Sequence, residues 1–598
     1  MTALPSADIV EDGSGLRSQH FDDIYFQPEA GLEESNHVFL NGNHLADRFG
    51  RLTPGEAFVI AELGFGTGLN ALAAIDLFQR MAPAGAHLHF WSVEGFPLSQ
   101  ARMDEALSKI GDRFAQIADL AETLREAYPP SRPGLWQCRL TPRATLTVTF
   151  DTVDKALAEA PIKADAWFLD GFSPAKNPDM WSPTVLAMVA AKTKAGGTLA
   201  TFTVAGAVRR ALAETGLDVE KAPGFGKKRD MLRASKPQGS TTPPAPIRNI
   251  AILGAGIAGA ALAWHAQRLG LSPTLYDPSG PAHGASGNPM GLLMPRIEAA
   301  DSPSARLYRD AFLYAVQFYQ EATPNALTLC GGTLKAGEDQ HTRHEKVMAS
   351  GLWTDGDLHL TDQGDLRVPG GATLQVAEAV KTLINNVPLI RAAPDRLEVN
   401  DDNVILSVGD TQQRFDAVFV ASGPQSAALA QLGDDLRASR GQMDVFDGPA
   451  IGDVMTEGSY IAPMDQQLAA GATYDDVPLD HIAKANMEST DRNRKAAEGL
   501  LKDRVGAPAL SRASVRAVTL DRHPIAGPAM PSRLQKEDGL ARLWILTGLG
   551  SRGLSTGPLL AAHLLAGLSD GVSPLSPPMA KVVDPGRFAA RRARRGQG

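Results

Sequence analysis

Asp170 ends the apolar run Asp165-Ala-Trp-Phe-Leu169 and opens the segment Asp170-Gly-Phe-Ser-Pro-Ala-Lys-Asn-Pro-Asp-Met-Trp181. An amine attacks an electrophile only through a free lone pair, so a carboxylate just past a strand end can orient the amine and take its proton. Phe172 and Trp181 are placed to wall such a pocket. Capping the turn that follows is the plainer role open to Asp170.

A glycine-rich segment upstream, Glu62-Leu-Gly-Phe-Gly-Thr-Gly68, follows the apolar run Phe58-Val-Ile-Ala61. Gly64, Gly66 and Gly68 permit a tight turn whose backbone N–H groups can face a ligand. A second run, His87-Leu-His-Phe-Trp-Ser-Val93, ends in Glu94, a carboxylate placed to accept both hydroxyls of a ribose. No third glycine follows at dinucleotide spacing, so the pattern favours S-adenosylmethionine over NAD.

A second cradle, Gly254-Ala-Gly-Ile-Ala-Gly259, follows Ile250-Ala-Ile-Leu253 and precedes an apolar helical pattern. The next strand-like run, Pro273-Thr-Leu-Tyr276, ends at Asp277, at the spacing expected of the acid that holds an adenosine ribose. Gly254, Gly256 and Gly259 with Asp277 thus indicate a dinucleotide. FAD is preferred to NAD because further small-residue loops are present. Gly284 to Gly291 contains Ser286 and Gly287, Ala421-Ser-Gly-Pro424 contains Gly423, and a late loop contains Gly550, Ser551 and Gly553 before an apolar helix. Such a loop can aim N–H groups and a helix dipole at the flavin carbonyl oxygens.

Three arginines, Arg440, Arg522 and Arg552, are candidate bidentate partners for a substrate carboxylate, and the sequence does not choose among them. Lys227, Lys228 and Arg229, beside a glycine turn, could contact an RNA backbone or form an ordinary basic hairpin tip. Arg209 and Arg210 fall on a helical pattern. Arg587, Arg591, Arg592, Arg594 and Arg595 give the chain a basic end.

The elements that must carry these residues are strands alternating with helices. At 598 residues the chain should divide into several domains. The fold class read from the pattern is α/β. An N-terminal Rossmann-like methyltransferase domain (1–234) and a linker (235–247) precede an FAD-binding Rossmann-type domain (248–598). The latter is interrupted by an inserted α+β substrate domain, roughly 301–414 and 440–520. The net charge of −9 argues against a surface coated in nucleic-acid contacts but leaves room for a local basic patch. The two cysteines, Cys138 and Cys330, lie far apart with no metal-ligand spacing, so no metal is expected and free thiols in a reducing cytoplasm are the simple reading. No apolar stretch is long enough for a membrane span. A cytoplasmic monomer is expected.

Taken together, the motifs resemble the family of bifunctional tRNA 5-methylaminomethyl-2-thiouridine biosynthesis proteins. The resemblance is carried by Phe21 to Phe26, Gly31 to Glu34, Val38 to Asn43, Glu62 to Asn70, Asp165 to Trp181, Ala200 to Thr203, Val208 to Arg210 and Gly224 to Gly226. In the second half it rests on Gly284 to Asn288 and Gly550 to Gly553. The resemblance implies a methyltransferase of the class I type, with Asn70 at the S-adenosylmethionine site. It also implies a carboxylate after the strand Leu146 to Phe150 near the adenine amine: Asp151, with Asp154 close by. The second half is similar to the glycine oxidase and D-amino-acid oxidase group. Family membership implies that the flavin half oxidises the carboxymethylaminomethyl group of a tRNA wobble uridine, releasing glyoxylate, and that the first half methylates the amine so exposed. Two departures are visible. Asp277 stands where Glu is commoner, and 301–414 matches only diffusely. An amine oxidase fused to a methyltransferase for free metabolites is the competing reading, followed by a tRNA-binding protein with one decayed site.

Overall fold

Each half is built around a mainly parallel sheet whose strand register decides which side chains reach its rim. The computed structural model describes residues 7, 9–12, 15–18, 23–26, 30–129, 132–226, 228–239, 247–337, 341–464, 466–529, 541–568, 571–594 and 596. Lys227, Arg595, residues 240–246 of the expected linker, and Phe21 and Asp22 of the quoted motif lie outside the described residues.

The first half has an eight-stranded sheet. Its order is Asp218–Pro223, Asp230–Ser235, Thr193–Thr201, Ala164–Leu169, Ala57–Leu63, His87–Glu94, Ala144–Phe150 and Gly134–Thr141. The five strands from Thr193–Thr201 to Ala144–Phe150 are parallel. The central strands Ala57–Leu63 and Ala164–Leu169 are largely apolar because helices cover both faces. Phe39, Phe90 and Phe168 pack on one side, Trp91 and Trp167 on the other. Leu63 lies level with Val93 and with Leu169, so the chain leaves three neighbouring strands at one height. Glu62, Glu94 and Asp170 therefore gather at the carboxyl rim of the sheet, where ligands of open α/β folds bind.

The second half repeats the device with a six-stranded sheet. The order is Leu389–Ile390, Ser272–Tyr276, Asn249–Leu253, Ala417–Val420, Leu543–Thr547 and Ile525–Pro528. Leu253 is level with Tyr276 and Val420, and Val420 with Ile545. The loops that begin at Gly254, Asp277, Ala421 and Gly548 thus converge. A large, mainly antiparallel sheet, with Leu436–Asp447 paired along Pro508–Thr519, stands over this rim.

The insertion expected at 301–414 is divided in the structure. Helix Pro303–Ala322 packs on helix Gly553–Leu568 of the nucleotide-binding layer, and Leu389–Ile390 extends the parallel sheet. Only Gly332–Leu334, His359–Leu360 and Leu366–Val368 from that stretch join the antiparallel sheet. A strand of two residues leaves no apolar period to read.

The halves are held together by buried contacts. The Arg309 side chain is 2% exposed; it pairs with Asp310 at 2.6 Å and donates to the Leu352 and Pro133 carbonyls. Val572, beyond the helix Gly553–Leu568, packs into the core of the first half, and its N–H donates to His89 Nδ1 at 3.4 Å.

Candidate functional sites

The first site is a cavity of about 940 Å³ lined by Gly64, Phe65, Gly66, Thr67, Asn70, Glu94, Asp170, Phe172, Phe202 and Lys228, among others. Gly64 adopts φ +90°, and a side chain there would press on Gly171. The Glu94 carboxylate accepts from the N–H groups of Gly66 (2.9 Å) and Phe96 (2.8 Å). Burial raises its pKa against the lowering effect of these backbone bonds. Glu62 is 1% exposed and accepts from Asn70 Nδ2 at 2.9 Å and Ser92 Oγ at 2.8 Å. Burial, reinforced by the nearby Asp170 charge, raises its pKa well above the carboxylate range. Glu62 therefore braces Asn70 beneath the loop and does not line the cavity.

Asp170 is the chemically poised group. Its Oδ1 accepts from Gly171 N–H (2.8 Å) and its Oδ2 from Asn70 Nδ2 (2.7 Å). Burial pushes its pKa up to about 6, opposed by those two bonds. A carboxylate there is ionised at neutral pH yet close enough to it to accept a proton.

Several expectations are corrected. Asp151 binds the N–H of Thr152 and does not line the cavity, whereas Thr152, Val153 and Asp154 do. Trp181 is 5% exposed, donates to the Phe172 carbonyl and packs edge-on against Phe202, so it supports the wall without lining it. Gly68 turns inward, where a side chain would meet Phe65 and Leu124. Lys228 bonds Glu34 at 3.0 Å and sits over the Phe202 ring, at the cavity, while Arg229 is exposed. Glu34 and Phe202 carry no local signal of a site, because their partners come from 194 residues away and from another strand end.

The second site is a cavity of about 710 Å³. Gly254 has φ +110°, and a methyl group there would overlap the Ala421 carbonyl. The N-terminus of helix Ile257–Arg268 opens at Gly256, and Ser286 Oγ accepts from Ile257 N–H at 2.9 Å. Asp277 accepts from Ala255 N–H at 2.9 Å and from Ser279 and Gly280. Gly256, Asp277, Ser286, Gly423, Gly550, Ser551 and Gly553 all line the cavity. Gly259 and Gly287 do not. A side chain at Gly259 would overlap the Gly254 carbonyl, and one at Gly287 would strike Ala282 and Arg512. These close backbone approaches and converging N–H groups fit a dinucleotide cradle.

Of the candidate arginines, Arg552 alone lines the cavity; its Nη1 donates to the Met294 carbonyl at 2.9 Å, and burial lowers its pKa. Arg440 is 5% exposed and fully engaged with Asp475, Ser489, Gln442 and the Lys484 carbonyl, a structural brace in the antiparallel sheet. Arg522 is exposed and does not itself line the cavity. The sequence reading missed Arg516. It lines the cavity, its guanidinium lies 5.1 Å from the Tyr474 ring, and its Nη1 is buried without a hydrogen-bond partner. The available signal was strand alternation: Arg512 and Arg516 share one face of Pro508–Thr519, and Arg512 secures the loop at His283 and Gly284.

Comparison with known proteins places each half in a family. Residues 115–237 match the S-adenosyl-L-methionine-dependent methyltransferase family, and residues 249–568 match the FAD dependent oxidoreductase family. The chain is 38% identical to the tRNA 5-methylaminomethyl-2-thiouridine biosynthesis bifunctional protein MnmC of Caulobacter sp. (strain K31), over 98% of each chain. The chain belongs to that family. With the MnmC protein of Maricaulis maris (strain MCS10) it shares 36% identity, covering 98% of this chain and 96% of that one. Among solved structures it is similar to glycine oxidase from Geobacillus kaustophilus, at 18% identity and a TM-score of 0.45, over 54% of this chain and 95% of that one. Like other members of its family, the chain is a bifunctional enzyme with a methyltransferase half that uses S-adenosylmethionine and an oxidoreductase half that uses FAD.

Proposed function

We propose that the two halves act in succession on one tRNA nucleoside, the wobble uridine carrying a carboxymethylaminomethyl group. The flavin half oxidises the carboxymethyl carbon–nitrogen bond to an imine, water hydrolyses that imine to release glyoxylate, and the methyltransferase half methylates the amine that remains. The observation that carries this reading is the pairing of Arg516 in one cavity with Asp170 in the other: a cation for the substrate's carboxylate, and a base for the product's amine. The names of the relatives, which specify 5-methylaminomethyl-2-thiouridine biosynthesis on tRNA, support the same substrate.

FAD supplies the two-electron oxidation of the carbon–nitrogen bond. The cradle from Gly254 to Gly259, with Asp277, would hold its adenosine and pyrophosphate end. Gly550 to Gly553, at the start of helix Gly553–Leu568, would face its ring. Arg516 would pair its free Nη1 with the substrate carboxylate, fixing the glycine-like carbon in place. Tyr474, 55% exposed over Arg516, offers an aromatic face at the mouth.

S-adenosylmethionine supplies an electrophilic methyl group. Gly64 to Thr67 and Glu94 would hold its amino-acid and ribose portions, with Asp154 toward the adenine. Asp170 would draw the substrate ammonium toward the methyl group and accept its proton, while Phe172 and Phe202 shield the base from water.

The test is incubation of the protein with tRNA bearing carboxymethylaminomethyluridine, followed by nucleoside analysis. Without added methyl donor the aminomethyl nucleoside should accumulate together with glyoxylate. With S-adenosylmethionine the methylaminomethyl nucleoside should replace it. Persistence of the starting nucleoside, with fast turnover of free glycine or sarcosine, would instead favour an oxidase of free metabolites. On this reading the enzyme works in the cytoplasm.

A further inference from the structure

The basic end of the chain is a folded element. Helix Arg587–Arg594 buries Phe588, 3% exposed, against Leu436, Ala517, Ile525 and Ile545. Acids clamp it from outside. Arg587 pairs with Asp521 at 3.0 Å, Arg591 with the same carboxylate at 3.3 Å, and Arg592 with Asp435 at 2.5 Å.

Three exposed arginines around this clamp have no carboxylate partner among the described residues: Arg437, Arg522 and Arg594. Arg437 lies two positions beyond Asp435 on the strand whose first residue, Leu436, pairs with Thr519. Arg522 adjoins Asp521. Both clamping acids thus sit beside an unpaired arginine. The cluster abuts the flavin cavity, since the Arg522 carbonyl accepts from Arg296 Nη1 at 3.4 Å and from the Tyr308 hydroxyl at 3.0 Å, and Arg296 lines that cavity.

We propose that this surface docks the phosphate backbone of a polynucleotide and serves the oxidative step, not the methyl transfer. The proposal rests on the tRNA reading above and adds where the backbone sits. A chain of net charge −9 repels a polyanion overall, so binding requires a local cationic surface. Guanidinium groups match phosphate oxygens two at a time. An arginine already neutralised by a buried aspartate offers little to a phosphate, whereas Arg437, Arg522 and Arg594 remain available. Their rigid mounting on a clamped helix and a strand end spares most of the ordering cost that a free basic tail would incur on binding.

The experiment compares the wild-type holoenzyme with the triple variant Arg437→Gln, Arg522→Asn, Arg594→Gln. Affinity for unmodified tRNA is measured across a salt series, and each half-reaction is assayed separately on its own tRNA substrate. Each lost phosphate contact removes roughly 0.7–0.9 from the slope of log K against log salt. The triple variant should therefore bind about tenfold more weakly at low salt, with a slope shallower by about 2–3. KM of the oxidative step should rise while KM of methyl transfer holds, with flavin absorbance unchanged. The single variant Arg594→Gln, at an exposed last turn, gives a slope change of about 1 even if the triple variant folds poorly. Unchanged affinity and slope in a flavin-loaded variant overturn the proposal, and so does an equal rise of KM in both steps. Absence of tRNA binding by the wild type overturns instead the tRNA reading beneath it.

Discussion

Asn70 Nδ2 lies 2.7 Å from Asp170 Oδ2 and 2.9 Å from Glu62 Oε1, so a single amide joins two carboxylates from neighbouring strand ends. Its own carbonyl oxygen accepts from Ser35 Oγ at 2.6 Å, which fixes the orientation of the amide. Glu62 is thereby a positioning residue: it holds Asn70, and Asn70 holds Asp170 at the cavity wall.

Methyl transfer should follow the ionisation of Asp170. Burial raises its pKa to about 6, so the rate should fall on the acid side of that value as the carboxylate protonates and can no longer accept the amine's proton. Asp170→Asn should lower kcat about 10²–10⁴-fold and abolish that acid limb. Asn70→Ala removes a hydrogen bond that favours the charged form, so the limb should move to higher pH. A pH–rate profile on aminomethyluridine tRNA, with the oxidative step as an internal control, checks all three. An unshifted limb in Asn70→Ala would refute the coupling.

Gly254→Ala should empty the flavin half. The residue sits at φ +110° and an added methyl would overlap the Ala421 carbonyl, so both backbone strain and a steric clash oppose it. Together these cost roughly 1–3 kcal/mol or more. The expected outcome is a purified protein with little of the visible flavin absorbance, no oxidative turnover, and methyl transfer close to wild type. Retention of a full flavin complement would show that the loop relaxes.

The legible parts of both sites are those where an apolar run stops at a charged or glycine residue. Glu94, Asp170, Gly254 and Asp277 are of this kind, because a buried parallel strand exposes side chains only where it leaves the sheet. The parts that were not legible depend on long-range placement. Asp151 and Asp154 differ by less than one helical turn, and only the path of the chain into helix Val153–Glu159 turns the second toward the cavity. Arg440, Arg516 and Arg552 are equally plausible as isolated arginines. What separates them is that the carboxylate Asp475 and the Lys484 carbonyl reach Arg440, while Arg516 keeps a free nitrogen. The Lys228–Glu34 pair joins a hairpin to a helix and has no sequence period at all.

Arg516 and Arg440 should respond to substitution in opposite ways. Arg516→Met removes the cation proposed to meet the substrate carboxylate, and truncating one partner of a desolvated charge pair costs about 2–5 kcal/mol. The expectation is a fall of roughly thirtyfold or more in kcat/KM for the oxidative step, with little change in melting temperature. Arg440→Met should leave KM near wild type in the surviving protein. It should lower stability by about 2–3 kcal/mol, less than for a fully buried pair because Asp475 is partly exposed and keeps Arg492. Steady-state kinetics alongside thermal unfolding separate the two, and a KM effect at Arg440 would reverse the assignment.

Acid should destabilise the folded chain through histidines buried at the junction between the halves. His89 accepts from the Val572 N–H across that junction, and burial lowers its pKa to about 3. His265, packed against Trp264 and near Arg139 and Arg268 at the same junction, is likewise lowered to about 3, chiefly by burial. In the unfolded chain both would titrate near the ordinary histidine value of about 6.5. Between that pH and the folded values the unfolded state binds protons that the folded state refuses. Stability is therefore full above about pH 6.5 and declines as pH falls. The melting temperature should drop steadily from pH 6.5 toward pH 4, and His89→Gln, which keeps an acceptor but cannot titrate, should flatten part of that slope while lowering stability modestly at pH 7. A pH series of melting curves on both proteins decides the matter: identical slopes would mean that His89 does not gate the junction.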